Sequence, residues 1–97
     1  MKNTNKYIVI PHREVKKKDE LLLEKANLFN KYMEIIKCLK ENPYSSQHNR
    51  EILQPKSKKI YSMRINNQHR VIYTIDKQAK VVKVWSAWSH YEIRKPS

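Results

Sequence analysis

The period of the hydrophobic pattern changes once along this chain, and that change restricts the folds open to it. From Leu28 the apolar residues Leu28, Tyr32, Ile35, Ile36 and Leu39 recur at i, i+4, i+7, i+8 and i+11, which is one face of a helix. Lys31, Glu34, Lys37 and Lys40 fill the wet side. Asn42-Pro43 ends the helix, because the residue before a proline is pushed out of the helical region. Upstream, Lys16-Lys17-Lys18 leads into Leu21-Leu22-Leu23, and a break at Asn27 divides the region into two helices. Beyond Lys59 the period is two. Tyr61, Met63 and Ile65 alternate with Ser62 and Arg64; Val71, Tyr73 and Ile75 alternate with Arg70, Ile72 and Thr74; Val82 and Val84 follow a turn at Asp76-Lys77-Gln78. These are three antiparallel strands. Lys6 to Ile10, closed by Pro11, reads as a first strand. The expected class is therefore α+β: an N-terminal strand and two helices packed on a twisted antiparallel sheet. At 97 residues the chain makes one domain, 1–97, with 93–97 as a short tail.

Register decides what the sheet presents, since a slip of one residue exchanges its faces. Pairing Ile65 with Val71, Met63 with Tyr73 and Tyr61 with Ile75 sets apolar residues opposite one another, with a turn through Asn67-Gln68-His69. Asn66, Arg64, Arg70 and Thr74 then share the other face, left open and basic, with two guanidinium groups on adjacent strands. Pro43 to Lys59 is polar, contains Pro55, and reads as a surface loop; a loop of that length in a small domain is often functional, which singles out its Glu51.

Composition narrows the partner. Lys plus Arg is 21 against 9 acidic residues, a formal charge of +12, and glycine is absent. Without glycine there is neither a phosphate loop nor a dinucleotide fingerprint, both of which need backbone that approaches phosphate without a Cβ. The charge favours a polyanion, nucleic acid ahead of an acidic protein. No apolar run reaches the length of a membrane span, so no membrane partner is expected. The lone Cys38 points to a reducing cytoplasm and reads as helix packing. His12, His48, His69 and His90 lack ligand spacing with one another or with Cys38, so no metal and no cofactor are expected. Tyr61, Trp85, Trp88 and Tyr91 offer faces on which unstacked bases can rest, although several aromatics must fill the core of so small a domain.

The order of residues says more than their composition. The run Tyr61-Ser62-Met63-Arg64-Ile65-Asn66-Asn67-Gln68-His69-Arg70-Val71-Ile72-Tyr73, followed by a last strand ending in Ser89-His90-Tyr91, resembles the C-terminal half of the YoeB/Txe toxins of the RelE superfamily. The Asn42-Pro43 stop and the Glu51 loop fit the same pattern, while the first half shares only its layout of strand then helices. The resemblance implies a RelE-like fold and the toxin of a type II toxin–antitoxin pair, a ribosome-dependent messenger RNA endonuclease. It implies Glu51 as general base, Arg70 as the cation on the phosphate, His90 as general acid, Tyr91 as a positioning neighbour, and Arg64 and Tyr61 as further RNA contacts. It also implies an acidic antitoxin of the YefM/Axe type, the 30S A site with its messenger RNA as target, and self-association into a homodimer as an open alternative.

That chemistry suits these side chains. RNA brings its own nucleophile, the 2′-hydroxyl, so a base, a cation and an acid suffice without metal, leaving a 2′,3′-cyclic phosphate and a 5′-hydroxyl. The rival reading is a non-catalytic basic RNA- or ribosome-binding module that blocks translation without cutting. Two departures from the family stand out: Met63 replaces a common second arginine, and Glu51 sits in Asn49-Arg50-Glu51-Ile52-Leu53 rather than among Lys and Pro. Strict alternation from Val82 and Val84 would put His90 on the core side, so His90 requires a bulge near Trp85-Ser86 to join Arg70. His69 reads as structural, in the hairpin turn.

Overall fold

The structure is a computed structural model that describes residues 6–88. Five strands, β1 (Ile8–Pro11), β2 (Glu51–Ile52), β3 (Tyr61–Arg64), β4 (Arg70–Asp76) and β5 (Val81–Ser86), form one sheet in the order β1-β5-β4-β3-β2. A π-helical segment, Val15–Asp19, runs into α1 (Glu20–Lys25); α2 spans Phe29–Glu41. The α+β class and the two helices are as the sequence implies. The sheet is mixed, because β1 pairs parallel with β5 while every other pair is antiparallel. Pro11 closes β1 without cost, since on an edge strand its missing N–H deprives no neighbour.

The helices cover one face. Tyr32, Ile35 and Leu39 of α2 and Leu23 of α1 are buried against Met63, Val71, Tyr73, Val82 and Val84, the α2 residues on the stripe that the helical period marks. At the other end of the sheet, the segment expected as plain loop contains a strand. Glu51 pairs with Ser62 and Ile52 with Tyr61; two residues are too few to show a period of two.

The central hairpin differs from its expected register. Tyr61 lies opposite Tyr73, Met63 opposite Val71 and Arg64 opposite Arg70, so the turn is centred one residue earlier, at Asn67. The Asn66 side chain decides this. Its Oδ1 accepts the N–H groups of Gln68 (2.9 Å) and His69 (2.8 Å), and the Ile65 N–H donates to the His69 carbonyl at 2.9 Å. Apolar matching cannot separate the two registers, because they differ by an even number of residues and leave the same side chains on each face.

With no glycine available, five of the described residues, all bearing side chains, adopt positive φ: Asn27 at 60°, His48 at 57°, Asn49 at 54°, Lys59 at 56° and Lys80 at 57°. Asn tolerates this conformation and Lys does not, so Lys59 and Lys80 carry backbone strain. Asn27 is the break between α1 and α2 that the sequence places there.

Candidate active site

Glu51, Arg64 and Arg70 share one face of the sheet, and the cross-strand register explains how. Glu51, Ser62, Ile72 and Ser86 form a row across four strands, and Arg64 and Arg70 face each other in the next row. A Glu51 carboxylate oxygen stands 3.8 Å from an Arg70 guanidinium nitrogen, with the side chains 57% and 39% exposed, respectively. Two guanidinium groups directly opposite each other repel, and one carboxylate leaves the group with a net positive charge. An anion such as a phosphodiester relieves that repulsion and can accept paired hydrogen bonds from either arginine. The site thus holds a cation pair and a solvent-accessible carboxylate, which suit phosphate binding and proton abstraction.

This face is not open along its whole width, as the sequence reading expects. Ser62, Ile72 and Ser86, which continue the row that begins at Glu51, are buried. The Ser86 hydroxyl and His69 Nδ1 are buried and have no hydrogen-bond partner among the described residues. His69 packs in the hairpin turn with its ring stacked on Trp88 at 3.7 Å between centroids.

Tyr61 lies elsewhere. It belongs to the odd-numbered face that meets the core, stacks on Tyr73 at 5.8 Å and carries the Arg50 guanidinium over its ring at 5.1 Å. Burial raises the pKa of Tyr73, the adjacent Arg50 opposes this, and the Tyr73 hydroxyl donates to the Pro43 carbonyl at 3.2 Å. Tyr61 is therefore a packing aromatic in this fold and is separated from Glu51 and Arg70 by the sheet.

The last strand carries the bulge that the sequence pattern requires. Tyr73 lies opposite Val84 but Ile72 opposite Ser86, which leaves Trp85 as the extra residue. Even-numbered Ser86 thereby joins the face of Ile72 and Arg70, and Ala87 returns to the core. Trp85 is fixed by its indole N–H, which donates to Thr74 Oγ1 at 3.0 Å, with the Lys83 ammonium 5.4 Å from its ring. His90 and Tyr91 lie outside the described residues. Among the described residues no group of three or more His, Cys, Asp or Glu side chains is placed to hold a metal ion, and no helix is long and apolar enough to cross a membrane.

Sequence reasoning passed over Asp19. It is a fully buried carboxylate at the end of the π-helical segment. The available signal was a charged residue set between Val15 and Leu23 at four-residue spacing, the interval of a buried helical stripe.

Comparison with known proteins bears on the family and the fold. The family model for the YoeB-like toxin of bacterial type II toxin-antitoxin systems matches residues 15–91. Among solved structures, the chain is similar to one from the YoeB-YefM complex of Staphylococcus aureus, with 25% identity, a TM-score of 0.69, and coverage of 88% of this chain and 98% of that one. It is also similar to the Staphylococcus aureus YoeB dimer, with 24% identity, a TM-score of 0.71, and coverage of 89% and 99%. An archaeal RelE-RelB complex from Pyrococcus horikoshii shares the fold at 22% identity and a TM-score of 0.68, with coverage of 86% and 93%. A search of curated proteins finds no match.

Proposed function

The chain belongs to the YoeB-like toxins of bacterial type II toxin–antitoxin systems, and we propose that it acts there as a ribosome-dependent, metal-independent messenger RNA endonuclease. The observation that carries this reading is Glu51 beside Arg70, itself directly opposite Arg64, on one face of the sheet. Glu51 takes the proton from the 2′-hydroxyl. Arg70 neutralises the phosphorane as its negative charge grows, and Arg64 holds the neighbouring phosphate. His90 gives a proton to the leaving 5′-oxygen, and Tyr91 helps to position the substrate. The bulge at Trp85 supports His90 in this role, because it turns even-numbered positions of the last strand toward Arg70.

Glu51 is more than half exposed, and Arg70 beside it is more than a third exposed. Side chains that open to water do not by themselves hold a flexible RNA in line for attack, so the messenger is held by something else. The 30S A site fits that need, and purified protein should cut free RNA poorly. The partner that restrains the toxin is an acidic antitoxin of the YefM type, as in the complex of the Staphylococcus aureus relative, and self-association follows the relative solved as a dimer.

Primer extension on messenger RNA in a reconstituted translation system tests the proposal, comparing the parent with Glu51→Ala, Arg70→Ala and His90→Ala. Cuts ending in 2′,3′-cyclic phosphate that disappear in the variants support it. Equal translation block by all four proteins without cyclic ends would leave only the non-catalytic binding module.

A further inference from the structure

Asp19 is 0% exposed, and so are Val15 and Leu23 on either side of it along the same helical stripe. A carboxylate in such surroundings is costly to bury, and an aliphatic side chain would fill the same position without that cost. Its placement has a local cause. The segment Val15–Asp19 is π-helical, an insertion that widens one turn and is found often at functional sites. From that turn Asp19 Oδ2 accepts the main-chain N–H of Ala87 at 3.0 Å, joining residues 68 apart in sequence.

Ala87 follows directly on β5 and comes two residues after the bulge at Trp85. A bulge interrupts the ladder, and a buried N–H just past the end of a strand needs an acceptor from elsewhere. Asp19 supplies it one residue past the end of β5, three residues before His90 in sequence. We propose that Asp19 is a positioning residue for RNA cleavage, whose carboxylate anchors the main chain at Ala87, three residues in sequence before the general acid. Asp19 is far in sequence from Glu51 and buried, and it touches no substrate. The proposal rests on the reading of His90 as that acid.

The test is a double-mutant cycle on single-turnover cutting of ribosome-bound messenger RNA. Asp19→Asn keeps an oxygen acceptor and should cut within about threefold of the parent, whereas Asp19→Ala removes the tie and should cut about 100-fold more slowly, the scale expected of a displaced reacting group. In a His90→Ala background, Asp19→Ala should cause no further loss, because the group it positions is already gone. Circular dichroism and thermal melting keep a folding defect apart from this effect. Where Asp19→Ala does not fold, Asp19→Ser serves, since its hydroxyl is too short to reach Ala87. If the loss from Asp19→Ala follows the unfolded fraction, or recurs in full in the His90→Ala background, Asp19 is only a structural tie and the proposal is wrong. A fully active His90→Ala variant removes the general-acid assignment and this proposal with it. An inactive His90→Ala variant beside an unimpaired Asp19→Ala variant overturns this proposal alone.

Discussion

Arg70→Ala separates stability from chemistry at this site. Arg70 and Glu51 are 3.8 Å apart with side chains 39% and 57% exposed, and an ion pair that open to water stabilises a fold by about 0–1 kcal/mol. Against it stands the repulsion from Arg64 directly across the strand pair, of similar size and opposite sign. The two offset each other, so the substitution should change stability by less than about 1 kcal/mol, a shift of at most about 4–8 °C in Tm for a domain of this size. The effect on cutting should be far larger. Removing one group that stabilises developing negative charge costs about 100- to 1000-fold in rate. Arg70→Lys should fall between, because it keeps the charge and loses the planar fork. The assay is single-turnover cleavage of ribosome-bound messenger RNA, paired with thermal melts, with Lys37→Ala on the exposed side of α2 as a control for general charge. If Arg70→Ala cuts within about threefold of the parent, a barrier change of well under 1 kcal/mol, the cation role is refuted. It is refuted equally if Lys37→Ala loses as much.

Other consequences concern the scaffold. The Tyr32 hydroxyl donates to Glu20 at 2.7 Å in a half-buried contact between α2 and α1, so Tyr32→Phe should cost about 1–2 kcal/mol in a denaturant titration. Tyr32 and Tyr73 both have raised pKa values, chiefly through burial; unfolded tyrosines ionise near pH ~10 and these do not. The tyrosine contribution is therefore fully present below about pH 10 and is lost as pH rises beyond it, and a Tyr32→Phe, Tyr73→Phe double variant should flatten that decline in urea melts. Asn66→Ala deletes both hydrogen bonds that shape the β3–β4 turn and should lower stability by about 1 kcal/mol or more, measured the same way. Lys80 holds a φ of 57°, so Lys80→Gly should raise Tm, the relief of about 1 kcal/mol in strain exceeding the added chain entropy.

The parts of this fold that sequence made legible are those where one face is buried and the other is wet. Tyr32, Ile35 and Leu39 mark α2, and the alternation around Met63 and Val71 marks the hairpin, because burial selects for a period. What stayed hidden depends on geometry without a period. The two-residue β2 exists through its pairing with Ser62 and Tyr61, and the register is set by the Asn66 side chain in a turn where apolar matching has no preference. The parallel pairing of β1 with β5 brings together residues far apart in sequence, a contact that no local pattern encodes. For the site, the strand face was legible for Arg64 and Arg70, Glu51 was read only as a loop residue, and parity alone showed that the last strand needs a bulge for His90 to join Arg70. Tyr61 was ambiguous because an aromatic has the same signature in a core stack as on an RNA-binding face; in the fold it neighbours Tyr73 and Arg50.

The central claim is that a base, a cation and an acid cut ribosome-held RNA through its own 2′-hydroxyl. The most direct measurement uses a messenger in which the nucleotide on the 5′ side of the mapped cut carries a 2′-deoxy sugar, programmed into the ribosome with the parent toxin. The account predicts that cutting at that bond vanishes while the all-ribose control yields a 2′,3′-cyclic phosphate and a 5′-hydroxyl. Cutting of the deoxy-substituted bond at the control rate would contradict it.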